Sequence, residues 1–277
     1  MPFVTPTARR RILITGETGS GKTHSLRSFP GPKFVLLFPG EKGQDTLLGS
    51  DGSPLDADTT VRVFEMGDKP ITSTEVIEQV RKETIAARKI DGLVTFCGDG
   101  YHKLYEYVMD ALSGGEYFAG SPFKTETKMD TQVVDPRVAS QAEHWMADYI
   151  SSISLSKIPY VVLTGWDKDA GIRRAKMQAD GKKEKWTDIP TFKMPALYSQ
   201  ASRKILGEFG ICVHASVTSK RKEVSAGKFE RVREYRWQTI ADDEVGACAI
   251  KGDAAKTALI PKFILADWRE LAKYVEG

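Results

Sequence analysis

The stretch GETGSGKTH, residues 16–24, constrains the fold of this chain more than any other feature. From Gly16 to Thr23 it reads Gly, four residues, Gly, Lys, Thr. That is the phosphate-binding loop pattern, and it works where a strand hands over to a helix. The flanks agree. Ile12, Leu13 and Ile14 in RRRILITG form a short apolar run suited to a buried parallel strand, and THSLRSF suits a helix. Gly16, Gly19 and Gly21 let the backbone turn tightly and come close to phosphate oxygens. With Glu17, Thr18, Ser20 and His24 they complete a loop whose N–H groups and helix N-terminus form an anion site. In this pattern Lys22 reaches the β- and γ-phosphates and Thr23 ligates Mg²⁺, so ATP and Mg²⁺ are the expected ligands.

Beyond the loop, strand-like and helix-like segments alternate. Strands are expected at 33–43, 61–66, 91–100, 158–169 and 211–217, with a later β element at 228–240 antiparallel to a neighbour. In that last segment Phe229, Val232, Tyr235 and Trp237 mark the alternation. Helices are expected at 73–89, 101–112, 144–156 and 196–210, and a short one closes the chain. In the first of these, Val76, Ile77, Val80 and Ile85 fall at helical spacing, with Ser73 or Thr74 as N-cap. Residues 113–135 read as a loop and 170–193 as a basic loop or hairpin. The alternation predicts an α/β fold: a mainly parallel sheet with helices on both faces, which the late β segments extend. No repeat or domain linker is visible. Residues 1–277 therefore read as one domain, with a core over about 9–217 and a β-rich extension and helix over about 218–277.

Composition excludes rather than identifies. The chain is 41% hydrophobic and 28% charged, as ordinary globular proteins are, and its net charge of +3 is too small to imply nucleic acid by itself. No apolar run is long enough to span a bilayer and no signal peptide is recognised, so the cytoplasm is expected and a membrane partner is not. Cys97, Cys212 and Cys248 are widely spaced and odd in number, which points to a reducing compartment and away from zinc. Cys97 and Cys212 lie in apolar runs and read as core.

Phosphate chemistry needs an acid near Mg²⁺ at the end of a neighbouring strand. Asp99 follows LVTFCG and precedes a helix. It serves as that ligand, as the helix N-cap, or as both. Hydrolysis needs a group that positions or deprotonates water. Glu41, after the second strand, is the candidate, and the alternative is a solvated residue in the turn FPGEKG. Strand C-termini converge on the ligand crevice of such sheets. Thr164 ends a third strand, where its hydroxyl either senses the γ-phosphate or bonds within its own strand turn.

The order of these features resembles the RecA-like ATPase core, and within it the short phage-encoded ATPases linked to single-strand annealing and recombination. GETGSGKT, LLFPGEKGQD, LVTFCGDGYHKLYEYVMDAL and YVVLTGWDKD carry the resemblance, over roughly residues 9–217. It implies a RecA-like P-loop NTPase core with extra C-terminal antiparallel strands. Glu41 would act in ATP hydrolysis, Asp99 would hold the metal, and two loops would touch single-stranded DNA. It further implies the host-cell cytoplasm, a homo-oligomeric ring or filament, and a single-strand-binding protein as a partner. The family has apolar residues and an acid where this chain has Pro39-Gly40 before Glu41 and Cys97-Gly98 before Asp99.

By the resemblance, residues 113–135 are the first DNA-contacting loop, with Tyr117, Phe123, Lys124 and Lys128. The second is the basic stretch carrying Arg173, Arg174, Lys176, Lys182, Lys183 and Lys185, with Trp186 placed to stack a base. A further basic stretch runs from Lys220 to Arg236. Solvated surface is the alternative for each. Three functions stay open on the sequence: a DNA-dependent ATPase, a P-loop small-molecule kinase with Arg173-Arg174 as lid, and a nucleotide-dependent interaction protein without efficient hydrolysis.

Overall fold

Alternating strands and helices build one nine-stranded sheet. The computed structural model describes residues 10–41, 43–64, 71–114, 136–154, 157–169, 172–179, 182–190, 193–195, 206–225, 228–242, 245, 248–251 and 254–276, and at 136 and within 168–195 and 221–230 it describes the backbone only. β1 (Arg10–Gly16) is followed by α1 (Lys22–Ser25), a 3₁₀ turn (Leu26–Ser28), β2 (Lys33–Leu37), α2 (Gln44–Leu47) and β3 (Thr59–Val63). Then come α3 (Ser73–Ala87), β4 (Thr95–Asp99), α4 (Tyr101–Leu112), α5 (Pro136–Ser154) and β5 (Tyr160–Gly165). Four short strands follow: β6 (Asp167–Asp169), β7 (Ile172–Ala179), β8 (Lys182–Pro190) and β9 (Lys193–Pro195). The chain closes with β10 (Ile211–Ser225), β11 (Lys228–Gln238), β12 (Ala249–Ile250), α6 (Ala254–Thr257), β13 (Phe263–Leu265) and α7 (Trp268–Val275).

The sheet order is β13-β11-β10-β1-β5-β4-β2-β3, with β12 paired to β10. The six strands from β10 to β3 are mutually parallel, and β11, β12 and β13 are added antiparallel. Strand side chains point alternately to two faces, and both faces are covered. Leu13, Phe34, Leu36, Phe96, Val161 and Leu163 pack against α3, α4 and α5. Ile12, Ile14, Val35, Leu37, Cys97 and Val162 pack against Leu26, Leu47 and, on α7, Trp268 and Leu271. This is the α/β architecture expected, a mainly parallel sheet with helices on both faces, and the late β segments extend the same sheet as predicted. All three cysteines are buried and free.

Several boundaries differ for physical reasons. The N-cap of α3 is Thr72, not Ser73 or Thr74. Thr72 Oγ1 accepts the Glu75 N–H while the Glu75 carboxylate accepts the Thr72 N–H, a reciprocal capping box. Ile85 is 50% exposed, and Thr84 takes the core-facing place, its hydroxyl donating to Val80 O at 2.8 Å. α5 starts at Pro136, well before the expected 144, because its first turns bury the small Ala139 and Ala142 and the polar Glu143 and leave a weak apolar signal. Of the loop or hairpin left open over 170–193, the described residues support the hairpin, with β7 antiparallel to β8. Val232 is 41% exposed while Trp237 on the same strand is fully buried. The helix expected over 196–210 and the loop expected over 113–135 lie mostly outside the described residues. Among the described residues no helix is long and apolar enough to cross a membrane.

Candidate functional site

β1 delivers the P-loop between its last residue, Gly16, and the first turn of α1. Gly21 precedes α1 at φ 86°, and a Cβ there would lie 2.5 Å from the Tyr235 ring on β11. That left-handed backbone and that close approach both require glycine. Glu17, Thr18 and Gly19 form the exposed rim of the loop, His24 is exposed, and Ser20 is buried. Lys22 is 8% exposed, and its Nζ donates to Gly16 O and Glu17 O, each at 2.8 Å. Burial lowers its pKa, and the charges of Asp99, Asp167 and Glu41 work against that shift.

Sheet register aligns the acids with the loop. β5 lies between β1 and β4, pairing Ile14 with Thr164 and Thr164 with Asp99. Asp99 is buried at the end of β4, where Oδ2 accepts the Thr23 hydroxyl at 2.7 Å and Oδ1 accepts the Thr164 hydroxyl. Thr164 Oγ1 in turn accepts the Gly100 N–H at 3.2 Å. The Thr164 hydroxyl thus bonds across to β4 and not within its own strand turn. Burial raises the Asp99 pKa, while the two hydroxyls and Lys22 pull it down. Asp99 does not cap α4: the cap is Gly100, with no side-chain bond.

Glu41 follows β2 through a turn in which its N–H donates to Phe38 O at 3.1 Å. The turn lays the side chain over Gly100, where a Cβ would lie 2.1 Å from Glu41 Cγ. Glu41 is therefore packed beside Asp99 and is no solvated turn residue, its side chain being 14% exposed. Burial, reinforced by the Asp99 charge, pushes its pKa up to about 7. Gly98, which breaks the expected apolar run, makes room: a Cβ there would lie 2.7 Å from Leu163 and 3.0 Å from the Phe38 ring.

Lys22, Thr23, Asp99, Thr164 and Glu41 come from four separate elements and connections and meet at the C-terminal ends of β1, β5, β4 and β2. The donor set fits Mg²⁺ with a nucleotide. Thr23 and Asp99 supply the hard oxygens that this ion prefers, and the buried Asp99 carboxylate is held by the Thr23 and Thr164 hydroxyls. When bound, the ion neutralises phosphate charge; Thr23 and Asp99 would hold it, and Lys22 would pair with the phosphates.

The predicted DNA-contacting residues are placed only by their backbone. Arg173, Arg174 and Lys176 lie on β7, and Lys182, Lys183, Lys185 and Trp186 on β8, with Arg174 opposite Asp188 and Lys176 opposite Trp186. Tyr117, Phe123, Lys124 and Lys128 lie outside the described residues.

Sequence reasoning missed a histidine pair at the root of that hairpin. Trp166 N–H donates to His102 Nδ1 at 3.3 Å, and His214 Nε2 pairs with Asp167 Oδ2 at 2.7 Å. The available signal was a histidine three residues after Asp99, and a Trp-Asp pair directly after the Thr164 strand.

No protein-family model matches the chain, and no curated protein matches it. Among solved structures it is similar to the assembled ATPase EscN from the enteropathogenic E. coli (EPEC) type III secretion system, at 15% identity and a TM-score of 0.42, covering 75% of this chain and 43% of that one. It is also similar to EscN in complex with its central stalk EscO, at 14% identity and a TM-score of 0.40, covering 74% and 42%. The chain spans less than half the length of these two. Likeness this remote says nothing of activity or partners.

Proposed function

We propose that this chain binds and hydrolyses ATP, and that the nucleotide switches its grip on single-stranded DNA, in the manner of the RecA-like ATPases of phage recombination, annealing or replication. The observation that carries this reading is the path of one strand. Thr164 stands next to the last residue of β5, its hydroxyl holds Asp99, and within a few residues the same chain enters β6 and the basic β7–β8 hairpin. A change at the phosphates therefore reaches the hairpin root through a single short segment. Basic side chains on an extended hairpin suit a phosphate backbone, and Trp186 suits base stacking.

The test is steady-state ATP hydrolysis with and without single-stranded DNA, with Lys22→Ala as control. Single strands should stimulate turnover, and the substitution should lower kcat/KM by about 100-fold or more. Unchanged turnover in Lys22→Ala would remove the central claim. Turnover indifferent to DNA would favour phosphoryl transfer to a small acceptor. Nucleotide binding without turnover would favour an interaction switch.

A further inference from the structure

His102 stands in the first turn of α4, and its side chain is 2% exposed. Both ring nitrogens face a neighbour. Nδ1 accepts the backbone N–H of Trp166 at 3.3 Å. An amide N–H can only donate, so Nδ1 carries a lone pair and the neutral ring holds its proton on Nε2. Nε2 lies 3.4 Å from Glu41 Oε1. Both of those atoms are buried and neither has a hydrogen-bond partner, so a small approach would satisfy the two together. The ring stays neutral at ordinary pH, since burial lowers its pKa to about 3, with Lys103 and Lys22 acting in the same direction. The half-exposed Trp166 indole stacks on the imidazole at 4.5 Å and 25°, and Lys103 Nζ lies 5.1 Å from the indole centre. The next residue, Asp167, is tied to His214 on β10.

We propose that His102 is a positioning residue for Glu41: its Nε2–H directs the Glu41 carboxylate, and the Trp166 amide, by occupying Nδ1, sets where that proton points. Glu41 is thereby linked to the root of the basic hairpin, and a shift of Trp166 moves the ring and the carboxylate with it. The consequence for turnover rests on the hydrolytic role of Glu41 proposed above. The hydrogen-bond link itself can be read without turnover.

Two substitutions separate the ring nitrogens. Asn places its carbonyl near Nδ1 and keeps only the Trp166 contact, whereas Gln places its NH₂ near Nε2 and keeps the donor toward Glu41. His102→Asn should lower kcat about tenfold with KM for ATP changed less than about threefold, and His102→Gln should recover most of that loss. Equal kcat losses, or a loss confined to KM, would overturn the assignment. The second readout is ¹⁵N NMR of the histidine-labelled full chain. It has four histidines, so the His102 signals are those that vanish in His102→Gln. The expected result is a neutral Nε2–H tautomer whose Nε2 resonance moves in Glu41→Gln. An Nδ1–H tautomer, or an Nε2 resonance indifferent to Glu41→Gln, sinks the proposal whatever the turnover. The expected spectrum in a protein that hydrolyses nothing would uphold the link and refute the hydrolytic role of Glu41.

Discussion

The Glu41 carboxyl lies over Gly100 with one oxygen buried, so ionising it is opposed by burial first and by the Asp99 charge second. Its pKa rises from 4.5 to about 7 in the fold. The sign follows directly. Between those values the folded chain binds the proton that the unfolded chain has released, so stability falls as pH rises. The contribution is whole below about pH 4.5 and lost above about 7. Glu41→Gln removes the buried charge. Its melting temperature should match the parent at pH 4 and exceed it at pH 8 by about 2–5 °C, equivalent to about 1–2 kcal/mol after allowance for solvent near the side chain. A lower melting temperature at pH 8 would show the charge to be compensated. The same variant should keep ATP binding and lose most of its hydrolysis, because water would lack its positioned base. At this scale the P-loop residues were legible, since their chemistry is contiguous. The surroundings of Glu41 were not. FPGEKG reads as a turn, Phe38 to Glu41 do turn, and nothing in those six residues tells that Gly100 lies beneath Glu41.

At the scale of elements, the β7–β8 hairpin carries the nucleic-acid proposal. Lys182, Lys183 and Lys185 share β8. Replacing all three with Ala should weaken single-strand binding and reduce the slope of log affinity against log salt by about 2, at roughly 0.7 per phosphate contact. An unchanged slope would return this strand to plain solvated surface. Hairpin or loop stayed open in the sequence because basic residues at 173, 174, 176, 182, 183 and 185 hide any apolar alternation. α3 teaches the same lesson in reverse. Its helical period was plain, but Thr72 rather than Ser73 or Thr74 caps it, because only Thr72 stands three residues before the reciprocating Glu75. Thr84 rather than Ile85 faces inward because two turns from Ile77 lead to 84.

At the scale of the whole molecule, the C-terminal strands belong to the sheet that holds the site. β10 runs unbroken through residue 217 to Ser225, and its partner β11 brings the fully buried Trp237 against Phe29 and the Tyr235 ring against Gly21. α7 adds Trp268, stacked on Phe29 at 5.0 Å. Losing one such tryptophan costs about 3–5 kcal/mol, a large share of the roughly 5–15 kcal/mol that holds a domain together. A chain ending at Val217 should therefore lack a cooperative melt and fail to bind an ATP analogue. A sharp transition in that fragment would make residues 218–277 an addition to a self-sufficient core. By itself the sequence determined the phosphate loop, the alternation of strands and helices, and hence a parallel sheet covered on both faces. Each of those depends on spacing between near neighbours. Only the tertiary structure decided that Thr164 holds Asp99, that Tyr235 closes over Gly21, and that His102 stands between Glu41 and Trp166. Those pairs lie far apart along the chain, and strand order and register, not local spacing, bring them within reach.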